Sequence, residues 1–182
     1  MEVDMNQKSI TFLGLTIKTI VVHTLTYFVI GLVAFTLLDY TARFADPSMS
    51  GFMRPTDDPI VALGPALQPI RGILFALAFY PLREILFGRK NGWLITWLLL
   101  VSIGIFSTFG PAPGSVEGLI YTVIPIRDQF SGGLLEVVSQ SFLFSAILYY
   151  WVNHPEKKWL NWVFSILFIL VLLMSIAGYL MA

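Results

Sequence analysis

Apolar residues run along this chain in five blocks, at about 19–40, 69–87, 93–109, 133–152 and 159–179. Each approaches the ~20 residues a helix needs to cross a ~30 Å hydrocarbon layer. Aromatic side chains stand at many block ends (Tyr40, Trp93, Trp151, Trp159, Tyr179), where interfacial belts form. The pattern predicts an all-α integral membrane protein. Its expected architecture is a five-transmembrane-helix bundle made from one polytopic domain, residues 1–182.

The connections alternate in character. GRKNG at 88–92 and NHPEKK at 153–158 are short, so blocks two and three, and four and five, should form antiparallel hairpins. Gly88 is placed to end one helix, Asn91 to cap the next, and Pro155 to open the fifth block. The connections at 42–64 and 110–132 are longer and rich in proline and glycine. In the second, residues 119–126 are too apolar for a solvated loop and too short to span, which predicts an interfacial or re-entrant segment. Ser115 is placed to cap a short helix there, with Glu117 in its first turn.

The block ALQPIRGILFALAFYPLREILFG, residues 66–88, carries charge and two prolines in otherwise bilayer-compatible sequence. Pro69 disfavours helix at the preceding residue, so the second helix is expected to start there. Arg71 then lies in its outer first turn, with Arg83 and Glu84 near its inner end. Pro81 should bend the helix, and Gly72 with Ala76 should admit a close neighbour. Arg83 reads as a snorkelling side chain. Arg71 has two readings: snorkelling, or pairing with Glu136 at similar depth in block four. There Glu136, Ser139 and Gln140 share a helix face.

Composition sharpens the class. Hydrophobic residues make up 57% and charged residues 12%, against about a quarter charged in soluble domains, and mean hydropathy is +0.79. Lysine plus arginine equals aspartate plus glutamate at 11 each, which gives no electrostatic case for a nucleic-acid partner. Cysteine is absent, removing disulfides and thiolate-ligated clusters. The first block follows Glu2 and Asp4 and lacks a small-residue cleavage site, so it is expected to remain as a signal anchor.

Basic residues set the expected orientation. Lys8, Lys18, Arg83, Arg89, Lys90, Lys157 and Lys158 fall on one side, and Arg43, Arg54, Arg71 and Arg127 on the other. The more basic side is expected to be cytoplasmic, with the N-terminus inside, the C-terminus outside and the plasma membrane as host.

The site candidates divide between the two sides. Outside, Arg71, Glu136 and Gln140, with Glu117, Arg127 and Asp128 brought over by the loop, would form a polar cluster walled by residues 42–64. Inside, Thr16, Thr19, His23 and Tyr27 recur at helical spacing as a polar stripe, read as helix packing or a proton relay. Two histidines without ligand spacing argue against metal or haem, so no cofactor is expected. No GxSxG, HExxH, SxxK or phosphate-loop pattern is present, and no family pattern is matched. The expected role is a non-enzymatic membrane protein. Its outer cluster would bind a partner protein, a second copy, a lipid headgroup or a small solute. A small transporter or channel, or an intramembrane enzyme on a lipid-linked substrate, are the alternatives.

Overall fold

The first helix, α1, runs over Phe12–Leu37 in a computed structural model that describes residues 10–47, 49–51 and 53–181. It starts seven residues before the expected block because Thr11 is its cap, accepting a hydrogen bond from the Gly14 N–H at 3.2 Å. Lys18 does not end it. Its ammonium instead reaches the Trp151 carbonyl at 2.9 Å, at the far end of another helix. The helix stops where Asp39 turns left-handed at φ 45° and its carboxylate caps α2, Tyr40–Ala45. Tyr40 therefore lies beyond the first apolar helix, not at its end. Glu2, Asp4 and Lys8 fall outside the described residues.

The second apolar helix also differs from expectation. After α3, Pro59–Ala62, helix α4 spans Gly64–Phe79 and includes Pro69. Pro65 opens it, at a position where the missing N–H is harmless. A neighbouring helix then completes the cap: the Ser175 hydroxyl accepts from the Ala66 N–H at 3.2 Å and donates to the Ala62 carbonyl at 2.5 Å. Arg71 consequently sits two turns inside α4 and not in its first turn. At the other end Pro81 breaks the helix into a turn and a short α5, Arg83–Leu86. Arg83 braces that break, donating to the Tyr80 carbonyl at 3.0 Å and lying over the Tyr80 ring.

The remaining apolar helices are α6, Gly92–Val101, extended by a π-helical stretch Ser102–Phe106; α9, Gly132–Asn153; and α10, Lys158–Met181. Between α6 and α9 lie two short helices, α7, Val116–Tyr121, and α8, Ile126–Gln129. Among the described residues every regular element is a helix, and there is no strand. Three helical runs are long and apolar enough to cross a membrane: α1, the stretch Ile126–Asn153, and α10. Helix α4 and the Gly92–Phe106 run are apolar but shorter.

Residue pairs fix how these helices run. Along α1 and α4, Phe12 meets Tyr80, Ile20 meets Gly72, His23 meets Gln68 and Tyr27 meets Gly64, so the two are antiparallel. Along α1 and α9, Lys18 meets Trp151, His23 meets Phe144 and Gly31 meets Glu136, again antiparallel. Trp93 and Trp97 of α6 pack on Phe142 of α9, and the Trp97 indole donates to the Val138 carbonyl. Helix α1 is thus the central element, holding α4, α9 and α10, with α6 outside α9.

One end of this arrangement carries the short 88–92 and 153–158 connections, and the other the long ones; we term them the hairpin end and the loop end. The core fills the hairpin half with Leu15, Phe79, Leu86, Phe87, Phe144, Leu148 and Trp151. Helix α10 buries only Leu160, Val171 and Ser175 and otherwise exposes apolar side chains, as a lipid-facing helix does.

Gly72 controls the tightest approach. A Cβ placed there would lie 2.5 Å from the Ile20 Cα, a backbone atom that cannot rotate away. Gly72→Ala should therefore force α1 and α4 apart and cost about 1–3 kcal/mol, as overpacking does. Gly104→Ala, where a Cβ meets nothing within 4 Å, serves as the control. Equilibrium unfolding in detergent should separate the two; equal stability would show that the helix contact is not tight.

Candidate functional site

At the loop end the helices splay around a cavity of about 1940 Å³. Helices α1, α4, α9 and α10 supply its sides, and residues from α2, the 42–64 segment and 124–131 supply its rim. Arg43, Arg54, Arg71 and Arg127, the whole basic set assigned to this side by sequence, line it. Asp39, Asp46, Asp128 and Glu136 line it too. The polar groups fall into an upper and a lower tier.

The upper tier is built around Glu136, one turn into α9. The Tyr40 hydroxyl donates to its carboxylate, which lies beside Gly31, where a Cβ would be 3.9 Å from Glu136 Oε1. The cation that bears on this carboxylate is Arg43, whose guanidinium also bonds the Ser131 hydroxyl. Ser131 precedes α9, so α2 and the start of α9 are tied together. On the rim, Asp58 accepts from the Ile60 N–H at 3.0 Å to cap α3 and takes Arg54 at 2.7 Å. The Arg54 hydrogen bond, with the Ile60 N–H, holds the Asp58 carboxyl below the usual aspartate range. Whatever this clamp contributes is present at neutral pH and is lost as pH falls through that lowered value.

The lower tier lies near the middle of α1. His23, only 2% exposed, sits between the Phe75 and Phe144 rings, with centroids 5.0 and 5.3 Å away. The Gln68 side-chain N–H donates to the Gly64 carbonyl at 2.9 Å, which turns its oxygen toward His23 Nε2 at 3.1 Å. That oxygen is an acceptor, so in the neutral ring Nε2 carries the proton and Nδ1 presents a lone pair. No described residue satisfies Nδ1. Arg71 stands over the Phe75 ring at 5.9 Å and forms no ion pair within 4.0 Å among the described residues. The Tyr27 hydroxyl lies between the tiers, where the charges of Glu136 and Arg71 both act on it.

Arg71 and Glu136 share the cavity without pairing. The backbone at Gly72 is level with Ile20, whereas Glu136 is level with Gly31. Eleven residues of α1 separate those levels, or about 16 Å along its axis. The expected match in depth assumed a helix starting at Pro69; the earlier start carries Arg71 deeper. Arg43, six residues past the end of α1, is the cation that acts on Glu136 instead.

The other candidates divide. Gln140, Arg127 and Asp128 line the cavity, while Glu117, at the start of α7, is not among its lining residues. The stripe Thr16, Thr19, His23 and Tyr27 splits in two. Thr16 and Thr19 donate to the carbonyls one turn back, at 2.9 and 2.7 Å, and belong to the hairpin half. His23 and Tyr27 open on the cavity from the other end, because α1 begins at Phe12 and places them at and beyond its midpoint. Among the described residues, no three His, Cys, Asp or Glu side chains gather as metal ligands do.

The 110–132 connection has its own centre in Gln129. Its side-chain N–H groups donate to the carbonyls of Ile124 at 3.0 Å and Gly118 at 3.3 Å, and its oxygen accepts from the Gly114 N–H. Gly114 holds φ 84°, a conformation that suits glycine. Ser115 caps α7 by accepting from the Gly118 N–H at 2.9 Å. The apolar side chains of this segment point away from the protein: Ile120 is 63% and Val123 95% exposed. From this connection, Ala112, Pro113, Ile124 and residues 127–131 reach the cavity. Gln129, Gln68, Tyr40 and Ser131 carried no sequence signal, since a lone amide or hydroxyl has no periodicity to betray its partner.

The fold and the cavity together define the class: a helical protein with three helical runs long and apolar enough to cross a membrane and a cavity with polar groups at one end. In comparisons with known proteins, the chain matches no family model, no curated protein and no solved structure.

The contacts assign the upper-tier energetics to Tyr40 and Glu136. A hydrogen bond to a charged group is worth about 1.5–3 kcal/mol. A double-mutant cycle on Tyr40→Phe and Glu136→Gln should return a coupling of that order. The cycle on Arg71→Leu and Glu136→Gln should be additive to within about 0.5 kcal/mol. Unfolding in detergent checks both, and a large Arg71–Glu136 coupling would contradict the depth assignment.

Proposed function

We propose that this chain is a multi-pass membrane protein that uses the loop-end cavity to bind an amphiphile, taking up its polar head among the two tiers. The observation that carries the reading is the depth and exposure of Arg71. It lies two turns inside α4, on a helix whose other exposed residues (Ile70, Ile73, Leu74, Leu77) are apolar, yet it faces a cavity. A charge at that depth in lipid is costly and belongs in a wet or ligand-filled space. The cavity walls are otherwise built from Phe28, Leu32, Phe35, Phe75 and Val137, which suit an apolar tail.

In this reading all five apolar helices cross the bilayer. Helix α4 gains the needed length from α5 across the Pro81 break, and the Gly92–Phe106 run spans where the bilayer thins or the helix sits low. The exposed face of 119–126 rests in the interface. The basic hairpin end is cytoplasmic and the cavity opens outward. Binding is favoured over transport by the hairpin half. There Thr16 and Thr19 turn to their own helix, and Leu86, Phe87, Phe144 and Leu148 fill the core, leaving no polar path beyond His23.

Because the chain has no cysteine, single introduced thiols test this directly. Gln140→Cys, in the cavity, should react with a charged, water-soluble thiol reagent and be protected by a short-chain amphiphile. Leu173→Cys, on the exposed face of α10, should stay unreactive. An inert Gln140→Cys, or one that no amphiphile protects, overturns the binding reading. For the orientation, Asn91→Cys and Asp57→Cys in sealed vesicles should label from opposite sides with an impermeant reagent. Labelling of both from one side overturns the five-span arrangement.

A further inference from the structure

The lower tier contains two unmet demands within one small volume. Arg71 offers a guanidinium with no carboxylate within 4.0 Å among the described residues. His23 offers a buried acceptor, Nδ1, that no described residue satisfies. Both stand within 6 Å of the Phe75 ring, and both line the cavity. A buried unsatisfied acceptor is costly, and so is a membrane-embedded cation without a counter-charge. The two groups ask for opposite things: Arg71 for an anion, and His23 Nδ1 for a donor.

An ionised carboxylate meets the first demand and has no donor for the second. A neutral alcohol meets the second and not the first. A phosphate monoester meets both from one centre, with charged oxygens for the guanidinium fork and a P–OH for the imidazole. The Tyr27 hydroxyl, one turn above His23 on the same side of α1, adds a further donor. Gly64 is what admits it, because a Cβ there would lie 3.0 Å from the Tyr27 oxygen.

We propose that the lower tier is a subsite for a hydroxyl-bearing phosphate, with Arg71 holding the anionic oxygens and His23 Nδ1 accepting from the phosphate hydroxyl. The proposal rests on the amphiphile-binding reading and adds the head-group chemistry to it. A phosphate of this kind is carried both by a lipid phosphomonoester and by a small soluble phosphate ester.

Three short-chain lipids with the same tails separate the contributions: phosphatidate, its methyl ester phosphatidylmethanol, and phosphatidylcholine. Below the monoester's second pKa of about 6, where binding is compared, phosphatidate and its methyl ester each carry one negative charge and only phosphatidate has a P–OH; the choline lipid is zwitterionic. The full chain in detergent should bind phosphatidate about tenfold more tightly than phosphatidylcholine, the worth of one hydrogen bond to a charged group. Arg71→Gln should erase that preference, and Arg71→Lys should keep part of it. His23→Phe should abolish the preference for phosphatidate over phosphatidylmethanol. Competition by glycerol 3-phosphate with the same Arg71 dependence would identify the soluble ester as a source; its failure would identify the lipid.

Equal binding of all three lipids by the unaltered protein overturns the subsite and leaves the amphiphile reading standing. Absence of binding by any of them, together with no protection of Gln140→Cys, overturns both. Should His23→Phe fail to fold, the unaltered protein's ranking of phosphatidate against phosphatidylmethanol decides the hydroxyl contact by itself.

Discussion

The close approach of α1 and α4 at Gly72 is the constraint from which the rest of the site follows. With no side chain at Gly72, the α4 backbone lies against Ile20. That contact fixes the register between the two helices, and register decides which polar groups meet. Two further partners lie along the same line: Gln68 against His23, and Gly64 against Tyr27. One helical turn of slip would place a glycine, Gly64 or Gly72, against His23 and leave the Gln68 amide without its partner. Packing in a bilayer has no hydrophobic drive to correct such a slip, so small residues at the contact carry the specificity. Ser175 reinforces the same register from the other side, by capping α4 at its start.

The class of the fold was legible in the sequence, because long apolar blocks and their turns are local properties. All-helical structure, the two short connections, the small-residue contact on α4 and the Ser115 cap all follow from composition and spacing; which helices pack together does not, since α6 packs on α9 and α10 on α1 and α4. Helix ends were less legible wherever a tertiary contact overrode a local signal. Pro69 reads as a start, but Pro65 and the Ser175 hydroxyl supply a better one five residues earlier. Lys18 reads as a flank, but the Trp151 carbonyl lets it stay inside a longer helix. Each shift of a helix start moves every depth inferred from it. The two errors together account for the expected Arg71–Glu136 pair and for the inner stripe that the structure divides.

Those same shifts explain why the site differs from its sequence description while using most of its residues. The basic residues assigned to one side do converge, and the 42–64 segment does form a wall. Which carboxylate meets which cation depends on angles of about 100° per residue around each helix and on register along it. Neither is a property of one segment. Arg43 and Tyr40 owe their positions to the left-handed turn at Asp39, a single-residue event that redirects the chain into α2.

The asymmetry of the bundle follows from where polar groups find partners. At the hairpin end, threonine hydroxyls bond carbonyls on their own helix, Arg83 bonds the Tyr80 carbonyl beside Pro81, and Lys18 bonds the end of α9. Polar groups satisfied so locally place few demands on their neighbours, and the helices close around Phe87, Phe144 and Leu148. At the loop end, Glu136 and Arg43 are satisfied across elements, and Arg71 and His23 Nδ1 are not satisfied by the described residues at all. Helices cannot close over an unpaired guanidinium without stranding it, so the loop half stays splayed around Arg71, whereas His23 is already enclosed between Phe75 and Phe144. In this view the cavity is not a packing defect between otherwise complementary helices. It is the volume that the unpartnered Arg71 charge holds open. A substitution that made Arg71 apolar would remove a reason for the helices to remain apart.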